Sequence, residues 1–113
     1  MEKQLASLLA LLPQAEVLGS ADKVITDVTA DSRAVVAGSL FICLKGATVD
    51  GHKFLAMAAA KGAVAALVED VPAELPQGIT LIKVADTREA MELVTPYFYD
   101  YPGRKLRMIG VTG

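Results

Sequence analysis

The sequence predicts an α/β fold: a single domain with a mostly parallel or mixed sheet and helices packed on it. Short, continuous apolar runs recur along the chain, which is typical of strands buried on both faces of a parallel sheet. Segments with helical spacing of apolar residues alternate with these runs. With 113 residues, 53% of them hydrophobic, the chain can bury one core and is too short for two ordinary domains.

The first element is predicted as an amphipathic core helix. Four leucines recur at i, i+3, i+4 and i+7, and Pro13 ends the pattern: Leu5, Leu8, Leu9 and Leu12. A signal peptide is the alternative, but the leucine stretch is short and interrupted, and no small-residue cleavage site closes it. A membrane span would need ~20 apolar residues, and no window approaches that length.

Five apolar segments are predicted as strands, the first of which runs into a polar turn. A loop bracketed by Pro72 and Pro76 separates the third strand from the fourth. Helical segments follow the second and the fourth strand, so that strands and helices alternate. The segments are Lys23–Ser32, Ser39–Gly46, Ala63–Glu69, Ile79–Val84 and Leu106–Val111.

Two further helices are predicted between these strands. The first ends at Gly62, which can serve as its C-terminal cap, and the second begins with a capping box of Asp86 and Glu89. The predicted apolar stripe of the first helix is Phe54, Met57, Ala58 and Lys61. That of the second is Ala90, Leu93, Val94 and Tyr97.

Pro96 conflicts with the second of these helices, because an interior proline removes a hydrogen bond and costs ~3 kcal/mol. We therefore expect a break or a kink near this residue. Aromatic residues follow at once: Tyr97, Phe98, Tyr99 and Tyr101. They could form a ligand platform, although packing at a joint between two structural units is the more common role.

Composition excludes several classes of function. Eleven basic residues against thirteen acidic ones, with a net charge of −2, make nucleic acid an unsuitable partner. The single cysteine, Cys43, lies in an apolar run and is predicted to be a buried thiol in a reducing compartment. With one histidine, no metal site is predicted. No Ser-His-Asp set, H-E-x-x-H motif or carboxylate pair at catalytic spacing occurs, so no catalytic residue is predicted.

Two polar turns interrupt the apolar pattern and are the candidate binding residues. The first is Ala30–Arg33, where Ser32 offers a hydroxyl and a backbone N–H at the end of a strand, the place where α/β sheets bind ligands. The second lies between two turn signals, Lys45-Gly46 and Asp50-Gly51, and contains small residues that expose backbone groups: Ala47, Thr48 and Val49. Both could equally be ordinary turns, with Asp31 paired to Arg33.

The last residues, "RMIGVTG", raise the possibility of nucleotide binding. An apolar strand that runs into glycine and threonine is how phosphate-binding loops often begin, but no lysine follows Gly113. We expect Gly113 to be the start of an ATP-binding loop whose remainder lies beyond it. We accordingly divide the chain into a binding domain, residues 1–100, and a linker with the first strand of an absent ATP-binding domain, residues 101–113.

Most of the chain from Thr29 to Glu69 resembles the N-terminal domain of the Mur ligases, which add the third residue or the terminal dipeptide to the bacterial cell-wall precursor. Several spaced elements carry the resemblance: Asp-Ser-Arg, Gly-x-Leu-Phe, a Lys-Gly turn, Asp-Gly-His and Gly-Ala. The ending "FYDYPGRKLRMIGVTG" is similar to the segment before the ATP loop in the member that adds the third residue. Pro96 departs from the family, whose members more often carry an uninterrupted helix there.

The resemblance implies an ATP-dependent amide ligase that uses Mg²⁺, acts in the cytoplasm as a monomer, and joins diaminopimelate or lysine to UDP-N-acetylmuramoyl-L-alanyl-D-glutamate. By position in the family motif, the residues that bind the UDP end of this substrate are Ala30, Ser32, Ala47, Thr48 and Val49. The magnesium and amino-acid sites would lie downstream, so this chain alone is expected to bind no cofactor and to be inactive. His52 is interpreted as a turn or helix-start residue. The alternatives are the sister ligase that adds D-alanyl-D-alanine and a stand-alone nucleotide-sugar-binding module.

Overall fold

A five-stranded mixed sheet forms the centre of the computed structural model, which describes residues 2–45, 50–73 and 78–99. Its strands are β2 (Glu16–Leu18), β4 (Asp27–Thr29), β5 (Ser39–Ile42), β6 (Ala65–Val68) and β7 (Thr80–Lys83). Their spatial order is β2-β7-β6-β5-β4, in which the last four are parallel and β2 is an antiparallel edge strand. The predicted α/β class with a mixed sheet is confirmed.

Both faces of this sheet are covered, which explains the continuous apolar runs. Every residue of β5 and β6 is buried, and alternate residues point to opposite faces. Leu40 and Ile42 belong to one hydrophobic cluster, whereas Phe41 and Cys43 belong to another. The first cluster includes residues of α1 (Leu5–Leu9) and α3 (Thr87–Tyr99), and the second includes residues of α2 (Leu55–Ala60).

The N-terminal segment is more divided than the sequence predicts. Leu5 and Leu8 of α1 are buried as expected, but the α-helix ends at Leu9, before Pro13. The single strand predicted over Lys23–Ser32 is wrong, because it consists of β4 and a separate strand β3 (Val24–Ile25), which pairs with β1 (Lys3–Gln4) in a small antiparallel sheet. The two strands are separated at Thr26, whose amide donates to the Gly38 carbonyl at 2.9 Å.

Helix α2 confirms the predicted cap and corrects the predicted stripe. The Gly62 amide donates to Ala59 and the Ala63 amide to Ala58, with Gly62 at φ +108°, which is the Schellman pattern. The buried residues are Leu55 and Ala58, while Met57 is 46% exposed and Lys61 is exposed. Ala58 is thus confirmed and Phe54 packs partly buried against the second cluster, whereas Met57 and Lys61 are wrong. The 3₁₀ turn Gly51–Phe54 before the helix changes the phase of the pattern.

Helix α3 begins where the sequence predicts and buries two of the four residues of the predicted stripe. The Asp86 carboxylate accepts from the amides of Arg88 and Glu89, at 2.9 and 3.2 Å, which confirms the N-cap. Ala90 and Val94 are buried as predicted, whereas Leu93 and Tyr97, 49% and 40% exposed, are not part of the buried face. Thr87 and Phe98 complete that face.

Pro96 does not end α3, which continues to Tyr99, so the predicted break is wrong. The carbonyl that loses its partner belongs to Glu92, an exposed residue that water can reach. Continuation of the helix buries Phe98 and brings the Tyr99 hydroxyl within 2.8 Å of the Asp27 carboxylate. These two aromatic residues therefore pack into this domain, and Tyr101 lies outside the described residues.

The predicted strand over 106–111 and Gly113 also lie outside the described residues. Within the ranges described, none of the helices combines the length and the apolar character that crossing a lipid bilayer requires. The proposed division of the chain at residue 100 stays a prediction.

Gly62→Ala is expected to destabilise the domain more than Gly78→Ala. Both glycines have positive φ, which costs an alanine about 1–2 kcal/mol. A Cβ on Gly62 would also lie 2.8 Å from the Ala37 Cα, whereas, among the residues that the structure describes, a Cβ on Gly78 meets nothing within 4 Å. Overpacking adds about 1–3 kcal/mol, so denaturant unfolding should show the larger loss for Gly62→Ala. Equal losses would mean that the backbone at Ala37 moves away at no cost.

Candidate functional site

The carboxyl ends of the parallel strands meet at one edge of the sheet, where α/β folds place their ligands. The first polar turn follows β4, the second follows β5, and residues 69–70 follow β6. The segment after β7 leads into α3 at the same edge. The fold therefore brings the first turn and the base of the second to the same edge.

Asp31, and not Ser32, organises the first turn. Its carboxylate accepts from the Arg33 amide at 2.9 Å and from the Arg33 guanidinium at 3.1 and 3.2 Å. These hydrogen bonds, the side-chain one first, lower the pKa of the Asp31 carboxyl. The Asp31 amide in turn donates to the Thr29 hydroxyl at 3.0 Å. The Asp31–Arg33 pair expected of an ordinary turn is thus present, and residues 32–34 form a 3₁₀ helix.

The hydroxyl of Ser32 has no hydrogen-bond partner among the described residues. The Ser32 carbonyl, in contrast, accepts from the Lys61 ammonium at 3.1 Å. The Lys61 ammonium therefore holds the backbone of the turn. The hydroxyl keeps its donor and its acceptor capacity for a ligand.

The base of the second turn consists of Leu44, Lys45, Asp50 and Gly51. Lys45 and Asp50 form an antiparallel bridge, and the Gly51 amide donates to the Leu44 carbonyl at 2.7 Å. A Cβ on Gly51 would lie 2.8 Å from the Leu44 nitrogen, so the close approach of the two chain segments at this bridge requires glycine. The predicted binding residues Ala47, Thr48 and Val49 lie outside the described residues.

A groove of about 550 Å³ joins the first turn to the base of the second. It is lined by all four residues of the first turn, Ala30–Arg33, and by Leu44 and Gly51. Three residues that sequence reasoning did not assign to the site complete it: Phe54, Met57 and Arg88. Met57 was assigned to the core, and Arg88 lies in the capping sequence of α3, so neither gave a separate signal.

The guanidinium of Arg88 adds a positive charge to this groove. No ion pair to its side chain occurs among the residues that the structure describes. The neighbouring arginine, Arg33, is neutralised by Asp31. Among the described residues, the groove therefore combines apolar side chains, a hydroxyl without a hydrogen-bond partner and a cation without an ion pair, which suits a ligand with a flat ring and an anionic group. A smaller cavity of about 370 Å³, lined by Leu12, Val84 and Leu93 among others, lies on another part of the domain.

Residues 69–70, which follow β6, connect the base of the second turn to the start of α3. The Lys45 ammonium lies 2.6 Å from the Asp70 carboxylate and 3.8 Å from that of Glu69. The hydrogen bond to Asp70 raises the pKa of Lys45, and that of Asp70 is lowered by the same contact. The second oxygen of Glu69 accepts from the Thr87 amide at 2.9 Å. The start of α3 is thereby attached to β6.

His52 joins the base of the second turn to the same two residues. Its Nδ1 lies 2.6 Å from the Asp50 carboxylate, and its Nε2 accepts from the amides of Glu69 and Asp70 at 3.0 and 3.2 Å. The backbone and side-chain hydrogen bonds from His52 lower the pKa of Asp50. His52 lies in the 3₁₀ turn before α2, as the sequence suggested.

Asp50, His52 and Asp70 bring three potential metal-ligand atoms within 4.8 Å of one another. These residues do not suit a metal ion, because both ring nitrogens of His52 already have hydrogen-bond partners. The Asp70 carboxylate is also bound to the Lys45 ammonium. This cluster is therefore a network of internal contacts.

Comparison with known proteins identifies the family. The family model described as "Mur ligase family, catalytic domain" matches residues 24–99, which is more than half of the chain. The chain belongs to the Mur ligase family.

This Mur ligase chain is 41% identical over 110 residues to the UDP-N-acetylmuramoyl-L-alanyl-D-glutamate--2,6-diaminopimelate ligase of Bacteroides fragilis, a match that covers 97% of the chain and 23% of the relative. It is 49% identical over 89 residues to the ligase of the same name from Clostridioides difficile, covering 79% of the chain and 18% of the relative. The chain therefore spans about a fifth to a quarter of these curated relatives.

Solved structures of Mur ligases share the fold. A crystal structure of MurF from Acinetobacter baumannii superposes with a TM-score of 0.71 at 28% identity and covers 86% of this chain and 21% of that one. The structural likeness confirms the α/β domain, whereas the sequence identity is higher to the diaminopimelate ligases.

Cys43 of this Mur ligase chain is expected to be unreactive in the folded state. Burial raises the pKa of its thiol to about 12, so the thiol stays protonated at pH 8. A raised pKa contributes stability that is present below the unfolded value of about 8.5 and is lost as pH rises toward 12. Labelling with a thiol-specific disulfide reagent at pH 8 should be slow until denaturant is added. Rapid labelling of the native protein would contradict this burial.

Proposed function

We propose that this chain is the N-terminal, UDP-sugar-binding domain of an ATP-dependent ligase that adds 2,6-diaminopimelate to UDP-N-acetylmuramoyl-L-alanyl-D-glutamate. The observation that carries the proposal is the 41% identity, across 97% of the chain, to a relative with that name. The 28% identity to MurF gives less support to the sister ligase that adds D-alanyl-D-alanine. Lysine is the alternative third residue, and cytoplasmic location and a monomeric state remain predictions.

The groove is the proposed site for the UDP end of the substrate. Leu44, Phe54 and Met57 offer apolar surface for the uracil ring, and the hydroxyl of Ser32 offers it a hydrogen bond. Arg88 offers a positive charge to the diphosphate. Ala30 and Ser32 of the first turn and Ala47, Thr48 and Val49 of the second are the proposed binding residues. The base of the second turn supports this assignment, because its residues Leu44 and Gly51 line the same groove as Ala30 and Ser32.

In the proposed reaction, ATP transfers its γ-phosphoryl group to the D-glutamate carboxylate, which gives an acyl phosphate and ADP. The amine of diaminopimelate then attacks the acyl carbon, so that an amide forms and phosphate leaves. Mg²⁺ would neutralise the charge of the phosphate groups, and its ligands are expected outside this chain. The contribution of this domain is to anchor the substrate far from the reacting carboxylate, so that binding energy positions the reacting groups.

The proposal is tested by assaying the complete protein with UDP-N-acetylmuramoyl-L-alanyl-D-glutamate, ATP and Mg²⁺. We expect ADP release that depends on diaminopimelate, and a product whose mass corresponds to one new amide. Parallel reactions with lysine, and with the tripeptide substrate plus D-alanyl-D-alanine, separate the related ligases. Binding of the UDP-sugar without any turnover would favour a stand-alone binding module, and absence of both binding and turnover would reject the proposal.

Ser32→Ala is expected to weaken UDP-sugar binding by the complete protein without lowering its thermal midpoint. The hydroxyl makes no internal hydrogen bond in the part of the chain described, so its loss should leave the turn intact. A lost neutral hydrogen bond costs ~0.5–1.5 kcal/mol, which at ~1.4 kcal/mol per tenfold is about a two- to tenfold loss of affinity.

Ser20→Ala is the matched control for this serine. The Ser20 hydroxyl accepts from the Asp22 amide at 3.0 Å in an exposed turn and is not part of the groove. Calorimetric titration with the UDP-sugar should therefore give the unaltered affinity for this variant. A lowered thermal midpoint with unchanged affinity in Ser32→Ala would show that Ser32 belongs to the scaffold.

A further inference from the structure

The imidazole of His52 connects two segments of the chain and is itself largely buried. Its side chain is 14% exposed and lies between the Asp50 carboxylate and the backbone of residues 69–70. Because a backbone N–H can only donate, Nε2 must accept, and the ring proton is therefore assigned to Nδ1, where it donates to Asp50. Both nitrogens are thus used, each toward a different segment.

Both ends of the second turn are attached to the same dipeptide. On the side that enters the turn, Lys45 pairs with the carboxylates of Asp70 and Glu69. On the side that leaves it, His52 accepts from the backbone amides of those two residues. One attachment uses side-chain charges and the other uses backbone hydrogen bonds, so the two do not compete.

The dipeptide is in turn fixed to the rest of the domain. It follows β6, whose residues are all buried. The Glu69 carboxylate also holds the amide of Thr87, and the Thr87 hydroxyl donates to the Cys43 carbonyl at 2.8 Å. A segment attached to residues 69–70 is therefore attached to the centre of the sheet and to the start of α3.

We propose that His52 is a positioning residue for nucleotide-sugar binding: it holds the base of the second turn against the end of β6, and so fixes the part of the groove that Leu44 and Gly51 line. The inference rests on the function proposed above. His52 does not line the groove, whereas its neighbour Gly51 and the attached Leu44 do. It acts through them and is not assigned a contact with substrate.

Three substitutions of His52 separate this role from a general effect on folding. His52→Phe keeps a planar ring and removes the hydrogen bonds of both ring nitrogens. His52→Gln can place its amide oxygen near the position of Nε2 and keep the bond to residues 69–70. His52→Asn can place its amide nitrogen near the position of Nδ1 and keep only the bond to Asp50. Because the link to β6 is what positions the turn, glutamine should rescue binding and asparagine should not.

The experiment measures steady-state kinetics and UDP-sugar affinity of the complete protein for these variants. For His52→Phe, we expect the KM for the UDP-sugar substrate and its Kd to rise about tenfold, as when the binding-competent fraction falls to about a tenth. The KM for ATP and kcat should be unchanged, because the lost interaction is made equally in the ground state and the transition state. His52→Gln should recover most of the affinity, and His52→Asn should resemble His52→Phe.

Val94→Ala is the matched control for stability. Val94 is fully buried in the other hydrophobic cluster, far along α3 from the groove. This variant should lower the thermal midpoint without changing the UDP-sugar KM. If His52→Phe changes all kinetic constants as stability falls, or leaves the UDP-sugar KM unaltered, the positioning role is rejected while the proposed function stands. If the unaltered protein neither binds nor uses the UDP-sugar, the proposed function fails, and the positioning role with it.

Discussion

Glu69 and Asp70 hold together the segments that surround the groove at the carboxyl edge of the sheet. Three segments converge on these residues: the two ends of the second turn, through Lys45 and His52, and the start of α3, through Thr87. The strand before them is completely buried between two hydrophobic clusters. The segments that surround the groove are therefore attached to the end of a fully buried strand.

This arrangement also determines which charges remain for a ligand. The acidic residues of the edge are used internally, with Asp31 bound to Arg33, Asp50 to His52 and Asp70 to Lys45. Within the described residues, Arg88 has no such partner and lines the groove. A chain with a net charge of −2 can thus present a local cation to an anionic ligand. Net charge argued against nucleic acid as a partner but could not locate this cation, because net charge contains no information on which charges are paired.

The errors of sequence reasoning fall where short elements meet. Periodicity predicted that Met57 and Leu93 would be buried, but both are about half exposed. A 3₁₀ turn before α2 changes the phase of the pattern there, and in α3 Phe98 is buried where Leu93 was expected to be. Pro96 was expected to interrupt α3, yet the burial of Phe98 and the contacts of Tyr99 accompany a continuous helix. Local propensity is a weak guide where tertiary packing supplies more free energy than one hydrogen bond.

Apolar runs and residues with special backbone preferences were enough to predict the α/β class, the buried strands β5, β6 and β7, the caps at Asp86 and Gly62, and the two candidate turns. The packing of the folded chain was needed to show that the first turn and the base of the second line one groove with Phe54, Met57 and Arg88, and that His52 links Asp50 to residues 69–70. Several of these contacts join distant residues, such as His52 and Glu69, which are 17 positions apart in the chain. No local pattern encodes them, since they arise only when parallel strands place their carboxyl ends along one edge.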